Sequence, residues 1–340
     1  MYSVSLGEDY GCGNLLGVQP VMRPADYASA RAYRAALNLA FTEAFTRGWV
    51  GSQTIIVLPE YIGTWLVVAG APAPVFSAAT LRRAMAWMIA SNGPEFLLAL
   101  TQSHSKNRVA EAVFRMRASA MAHIHHAALA DLAGRYGVTI VGGSLVLPSP
   151  YIEQGVLRAG HGPLRNVCPV YRPDGTAYPA LIQKVFPIRE ELDFTGAGSL
   201  DALSVIETPA GWLGVAICAD SWYPQIYAAL RAQGADLLAV PGYLSPSGVW
   251  DQPWGGYNPG PPPADVDPAD IGALSEGEAW RRYALVGRAP HHSFTAGVSV
   301  FLRGALWDRN ADGKSRATLG KSWIETEGEA SLVNVWLPPR

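Results

Sequence analysis

In the stretch Gly214-Val-Ala-Ile-Cys218-Ala-Asp220-Ser-Trp222-Tyr-Pro224, an apolar strand gives way to a helix. Val215 to Ile217 read as the end of a buried strand, and Cys218 falls where that strand stops. Pro224 suits a first helical turn, where its missing N–H would be unpaired in any case. An apolar helical pattern follows, then Gly234-Ala-Asp236-Leu-Leu-Ala-Val-Pro241, whose core Ala235 to Val240 reads as the next strand. A thiol at such a turn is presented at the C-terminal edge of its strand, where open α/β sheets bind ligands. A helix N-terminus nearby would favour the thiolate, the nucleophilic form. The competing reading is a small buried hydrophobe, the usual fate of a free cysteine.

The flanking chain has the material for a large core: 340 residues, 49% of them hydrophobic and 16% charged. A net charge of -2 gives no electrostatic footprint for nucleic acid or an anionic membrane. The three cysteines, Cys12, Cys168 and Cys218, are scattered and odd in number, which argues against a disulfide framework and for a reducing, cytoplasmic setting. No apolar run has the length of a membrane span, and the first residues lack the basic and apolar regions of a signal peptide. Eleven Trp and fourteen Tyr point to aromatic-lined pockets or interfaces.

Upstream, Asn14 to Pro20 reads as a strand, Ala25 to Arg47 as a helix that Asp26 could cap, and Thr54 to Leu58 as a second strand, implying a parallel pair with a crossover helix. Residues 61–117 read as an insertion over the C-terminal edge of the sheet, with helical patterns at Ala78–Ala90 and Glu95–Leu100. A helix at Ala118–Tyr136 follows, then one strand at Gly137–Pro148 that carries a Gly pair. Asn166–Tyr171 and Pro179–Lys184 form a strand pair around Arg172-Pro-Asp-Gly-Thr, whose Pro presets φ and whose Gly tolerates φ > 0. Leu203–Thr208 and Trp212–Ile217 form another pair. Residues 241–270, rich in Gly, Pro, Trp and Tyr without periodicity, are too long for a connector and read as a lid or pocket wall. A helix at Glu276–Arg288 and strands at Thr295–Leu302 and Gly328–Leu337 complete the pattern. One α/β domain, 1–340, with mixed sheets accounts for it better than two.

Three strand ends carry polar groups of different chemistry: Glu60 after Leu58-Pro59, Lys184 after Leu181-Ile-Gln, and Cys218 after Val215-Ala-Ile. A carboxylate can take the thiol proton and return it to a leaving group. An ammonium can stabilise thiolate and oxyanion, and the thiol can form an acyl or thioimidate intermediate. Taken singly, Glu60 is an ordinary strand-end carboxylate and Lys184 a solvated edge lysine.

In order and spacing these stretches resemble the nitrilase, or carbon–nitrogen hydrolase, superfamily: Val57-Leu-Pro-Glu60, Gln183-Lys184-Val-Phe-Pro187, and the Cys218 stretch through Pro241. Gly17-Val-Gln-Pro20 and Gly143-Ser144 also look like family positions, and the likeness runs over roughly residues 14–305. The resemblance implies a four-layer αββα sandwich with two mixed β-sheets, no metal or organic cofactor, and a homo-dimer or larger homo-oligomer. It implies that Cys218 attacks a small-molecule amide or nitrile, that Lys184 and the Ala219 N–H hold the oxyanion, and that Glu60 shuttles the proton. Many members carry a second Glu near the thiol. Spacing from Phe194 favours Glu190 and spacing from Lys184 favours Glu191; Glu190 is the choice made here.

Nitrilases tend to place Trp-Glu after the Cys, so Ala219-Asp220 favours an amidase. An acyltransferase and a non-catalytic binding protein on the same fold are the other readings. Where many members have Arg-Ala-x-Glu-Asn, this chain has Arg288-Ala-Pro-His291-His292, and Pro290 should end the helix early. His123, His125 and His126 lack the i, i+4 pairing with a carboxylate that a helical metal site needs. Asp308 to Gly313 resembles the start of a calcium loop, but position twelve is Leu319 rather than Glu, so a turn between strands is the better reading. Tyr61, Trp65, Trp222, Tyr243, Trp250, Trp254 and Tyr257 all follow closely on these strand ends. They are expected to converge over Cys218 as a pocket for an aromatic or bulky apolar acyl group.

Overall fold

The computed structural model describes residues 1–339. Its strands alternate, and the alternation dictates the layers. Leu15, Ile55 and Val57 face the same core as Leu213, Val215, Ala239, Val298 and Val333. Their neighbours Leu16, Ile56 and Ile140 face outward onto the helices Ala30–Thr46 and Arg108–Tyr136. On the other side, Leu238 and Val240 face outward onto Ile226, Tyr227 and Leu230 of the helix Pro224–Ala232. Period-two strands with both faces apolar have to be covered twice, and the result is the αββα sandwich.

The first sheet runs in the order Tyr2–Leu6, Ser331–Trp336, Asn14–Gln19, Thr54–Val57, Thr139–Val141, Val170–Tyr171, with the three strands from Asn14 to Val141 parallel. The second runs Ile206–Thr208, Gly211–Val215, Leu237–Gly242, Ala296–Phe301, Arg316–Leu319, Ser322–Glu325. Its central strands are parallel and its outer ones antiparallel. A small third sheet joins Ile182–Gln183, Leu164–Cys168 and Leu145–Pro148.

Several boundaries differ from the sequence reading. The expected strand 137–148 is two strands in different sheets, broken where Gly143 turns with φ of 66° under the carbonyl of Pro59; a Cβ there would sit 2.2 Å from that oxygen. The strand 166–171 is likewise split at Pro169, which has no N–H to give a ladder. Ser29, not Asp26, caps the first long helix, accepting from the Ala32 N–H. The helix 276–288 is two pieces, Glu276–Tyr283 and Leu285–Arg288.

The long helix begins ten residues earlier than expected, at Arg108, capped by the Asn107 side chain. The region 61–117 therefore ends inside it. The helices Leu81–Ser91 and Gly93–Thr101 lie against that helix. Asp308 and Trp307 form the turn of the hairpin Gly304–Leu306 and Arg309–Ala311. Among the described residues no helix is long and apolar enough to cross a membrane.

Gly17 sits where the two sheets meet. A Cβ on it would lie 2.6 Å from Val333, 2.7 Å from Val300 and 2.8 Å from Val298. Gly17→Ala is therefore expected to destabilise the fold by about 1–3 kcal/mol through overpacking. Equilibrium denaturant unfolding reads this as a lower midpoint, and an unchanged midpoint would contradict so close an approach of the sheets.

Candidate active site

Each polar side chain of the site stands just beyond a strand. Glu60 follows Thr54–Val57, Lys184 follows Ile182–Gln183, and Cys218 opens a 3₁₀ turn, Cys218–Trp222, three residues beyond the end of Gly211–Val215. The structure brings all three together in the interior, with Glu60 and Lys184 each 2% exposed and Cys218 7%. Lys184 Nζ lies 2.7 Å from Glu60 Oε1 and 2.6 Å from Glu191 Oε2.

Glu191, not Glu190, is the second glutamate of the cluster. Both stand on the single helical turn Arg189–Leu192, where one residue step rotates the side chain by about 100°. Glu191 is buried, while Glu190 is exposed and accepts only from Asn258 Nδ2, 3.0 Å away. The Glu191 carboxylate also accepts from the Ile188 N–H at 2.9 Å and from the Tyr61 hydroxyl. Asn166 Nδ2 bridges the two carboxylates, 2.9 Å from Glu60 Oε1 and 3.1 Å from Glu191 Oε1. Nothing in the sequence singles out Asn166, a lone amide in the middle of the strand Leu164–Cys168.

The donors divide the two carboxylates. Burial raises the Glu60 carboxyl above the usual range and the Lys184 charge only partly offsets it, with the Glu191 charge adding to the rise. Burial acts on Glu191 too, but there Lys184 and the Tyr61 hydroxyl win and its pKa falls below the usual range. Burial also works against the Lys184 ammonium; the Glu191 and Glu60 charges overcome it and hold its pKa well above that of a free lysine. The Cys218 thiol is pushed well up, by burial first and by Glu60 second. Burial thus works against the thiolate that a nearby helix N-terminus would favour, and the thiol donates to the Tyr243 carbonyl at 3.6 Å.

Asp220 ties the thiol turn to the lysine segment. Fully buried, its carboxylate accepts from the N–H groups of Val185 (3.0 Å), Phe186 (2.7 Å) and Ile217 (3.2 Å). Cys218 itself holds φ of 51° and Tyr61 φ of 62°, both in the left-handed region. The Ser221 hydroxyl donates to the Cys218 carbonyl at 2.7 Å, and the Tyr61 N–H donates to Ser144 Oγ at 3.0 Å. The family position Gly143-Ser144 thus supports the residue after Glu60.

The cluster opens into a cavity of about 560 Å³. Ala219, Tyr61, Trp222, Tyr243, Trp254 and Tyr257 line it, the last three from the stretch 241–270. Trp65 and Trp250 do not line it. Trp65 packs behind Tyr243 and on Trp307, and Trp250 packs on Phe301 and Arg316. Five of the seven rings therefore converge over the thiol. His125 is a core histidine at 3.0 Å from the Tyr33 hydroxyl, its pKa lowered to about 3 by burial. Among the described residues no three His, Cys, Asp or Glu side chains are grouped to hold a metal ion.

Comparison with known proteins agrees with this architecture. A double mutant of the amidase from Nesterenkonia sp. AN1, in complex with acrylamide, superposes with a TM-score of 0.57 at 16% identity, covering 98% of this chain and 93% of that one. A mutant of the same amidase in complex with butyramide gives a TM-score of 0.57 at 17% identity, covering 96% and 90%. At such identity these likenesses speak for the fold. The deaminated glutathione amidase of Yersinia enterocolitica is 49% identical over 39 residues, which span 12% of this chain and 14% of that protein. Residues 24–258, more than half of the chain, match the family described as carbon–nitrogen hydrolase. With that match and the shared sandwich, the chain belongs to the carbon–nitrogen hydrolase family.

Proposed function

We propose that the chain is a thiol-dependent amidase, converting a small carboxamide to a carboxylate and ammonia or an amine through a thioester on Cys218. The observation that carries this reading is a pair of carboxylates with unequal sets of donors on one lysine, beside a buried thiol. Groups of one kind whose environments push their pKa values apart mark acid–base assignments. Glu60, raised and with fewer donors, is the proton carrier; Glu191, lowered, stays ionised and fixes Lys184.

Cys218 Sγ attacks the amide carbon while its proton passes to Glu60. Lys184 Nζ and the Ala219 N–H hold the oxyanion. Glu60 returns the proton to the leaving nitrogen, the C–N bond breaks, and the thioester remains. A water then gives a proton to Glu60 and attacks the acyl carbon. Collapse of that second tetrahedral intermediate returns the proton to sulfur and releases the acid. The same reading treats 1–340 as one catalytic unit, in a homo-dimer or larger assembly, with no cofactor. Asp220 spends its carboxylate on three backbone N–H groups, so the position after Ala219 is structural in this chain. With no Trp-Glu pair after the thiol, the amide reading is preferred to the nitrile one.

The test is ammonia release and carboxylate formation across a panel of amides and nitriles. Cys218→Ala is expected to leave no more than a trace of the wild-type rate with the fold intact. Lys184→Ala and Glu60→Gln are each expected to lose about 10²–10⁴ in kcat. A loss below tenfold for either would remove it from the mechanism.

Glu191→Gln and Glu190→Gln separate the two neighbouring glutamates. The first is expected to cost at least tenfold in kcat. The second should stay within twofold of wild type, and the reverse order would restore Glu190.

The pH profile of kcat/KM follows from the same shifts. Glu60 must be ionised to accept the thiol proton, and its pKa is raised, so activity is lost as pH falls at a point above the usual glutamate range. Because the thiol pKa is raised too, no limb is expected where a free cysteine ionises. A limb with an ordinary cysteine midpoint would mean that the resting thiol is not held as described.

A further inference from the structure

One carboxylate in the cavity wall has no place in the chemistry above. Glu276 is the first residue of the helix Glu276–Tyr283 and lines the same cavity as Cys218. A glutamate in a first helical turn is ordinarily read as complementing the helix dipole. Here that duty falls to Glu278, which is exposed and closes a capping box with Ser275. Glu276 is instead partly buried, and among the described residues no cation acts on its carboxyl. Burial pushes its carboxyl up to about 7, and the only opposing influence is the indole N–H of Trp280. That indole lies one helical turn on, is 5% exposed, and its Nε1 has no hydrogen-bond partner of good geometry. A partly buried carboxylate and a buried indole N–H that approaches it therefore share one cavity wall, with no counter-charge among the influences on that carboxyl.

The rest of the wall fits the same kind of ligand. Trp222 lies at the centre of an aromatic group, with ring centroids 4.9 Å from Trp280, 5.5 Å from Trp254 and 5.7 Å from Tyr257. Aromatic faces attract cations, most strongly where water is excluded. Among the described residues, the only cationic side chain that lines the cavity is Lys184, and it is already held between Glu60 and Glu191. A substrate with a free carboxylate would meet no partner there, while a positive charge would meet one.

We infer that the cavity selects amides bearing a positively charged group, an ammonium or guanidinium, held by Glu276 among the Trp222, Trp254 and Trp280 rings. This rests on the amidase reading and refines the apolar acyl group expected from the rings alone.

The test has two arms. In the first, kcat/KM is measured for ω-aminoalkanamides and for uncharged alkanamides of matching length. The wild type is expected to favour the best charged amide over its neutral partner at least tenfold, and Glu276→Gln to lower that ratio at least tenfold. Glu278→Gln, a charge change in the same turn facing solvent, should keep the ratio. A wild-type ratio of one or below overturns the inference, as does a Glu276→Gln enzyme with the wild-type ratio.

The second arm needs no turnover. Binding of hexyltrimethylammonium and of hexanoate to the Cys218→Ala protein is followed by tryptophan fluorescence. The cation is expected to bind more tightly than the anion, and at least fivefold more weakly once Glu276→Gln is added. Cation binding that ignores Glu276 overturns the inference. If the cation binds through Glu276 but no amide in the panel is hydrolysed, the amidase reading fails and the cation site stands.

Discussion

A lysine ammonium buried between two carboxylates is the interaction on which the site depends. Three charges in a nearly dry interior are costly to bring together, and removing one partner of such a set typically costs about 3–5 kcal/mol because the others are left uncompensated. The arrangement holds because both carboxylates are met by several donors. Lys184 supplies one bond to each carboxylate, Asn166 bridges them, and Tyr61 and the Ile188 N–H complete Glu191. Glu60 is left with two donors against four for Glu191, plus its thiol neighbour. From chemically identical side chains, both raised by burial, the larger set of donors on Glu191 helps separate a group that can exchange a proton from one that stays charged.

The fold delivers these groups because parallel strands end on the same side of a sandwich. Glu60, Cys218 and Tyr243 each follow the C-terminal end of a parallel strand, and Lys184 arrives from the small third sheet. Two positive-φ residues, Tyr61 and Cys218, turn the chain sharply at those ends. Such backbone costs about 1–3 kcal/mol per residue and persists only where the surroundings over-determine it. Here the surroundings are Ser144 under Tyr61, and Ser221 and Asp220 around Cys218. Asp220 couples the two halves of the site, since the N–H groups it accepts belong both to the thiol turn and to the segment just after Lys184.

What was legible in the sequence follows from which signals are local. Cys218 could be read because an apolar strand, a turn and Pro224 surround it. Glu60 and Lys184 could be read because each interrupts a β-branched or apolar run at its end. The αββα layering came with the family likeness, and the alternation of Leu15 with Leu16 and of Ile55 with Ile56 is its physical basis. Glu190 and Glu191 could not be separated, because a one-turn helix has no periodicity to fix its buried face. Asn166 and the Asp220 strap depend on contacts across 106 and 35 residues respectively, which no local pattern carries. The early start of the long helix was signalled by Asn107, whose side chain caps it, and by Glu111 in its first turn. Trp65 has the spacing of a pocket residue, yet the 3₁₀ turn Thr64–Val68 directs it into the core behind Tyr243.

The departure at Arg288-Ala-Pro-His-His has its own physical logic. Arg288 is 4% exposed, and its guanidinium reaches the Asp265 carboxylate, the Tyr283 carbonyl at 2.7 Å and the Tyr257 hydroxyl at 3.3 Å. Asp265 and Tyr257 both belong to the long aromatic loop, and the Tyr257 hydroxyl donates to the Trp222 carbonyl at 2.8 Å. One arginine therefore fastens the cavity wall to the helix beneath it and, through Tyr257, to the turn that carries the thiol. A guanidinium suits this because its donors fork in a fixed plane, so that one side chain can hold several acceptors at once. An unfastened loop of this length would cover the cavity only part of the time. Anchored here, the rings it carries form a standing wall, and the shape and charge of that wall are set by the same contacts that hold the nucleophile turn in place.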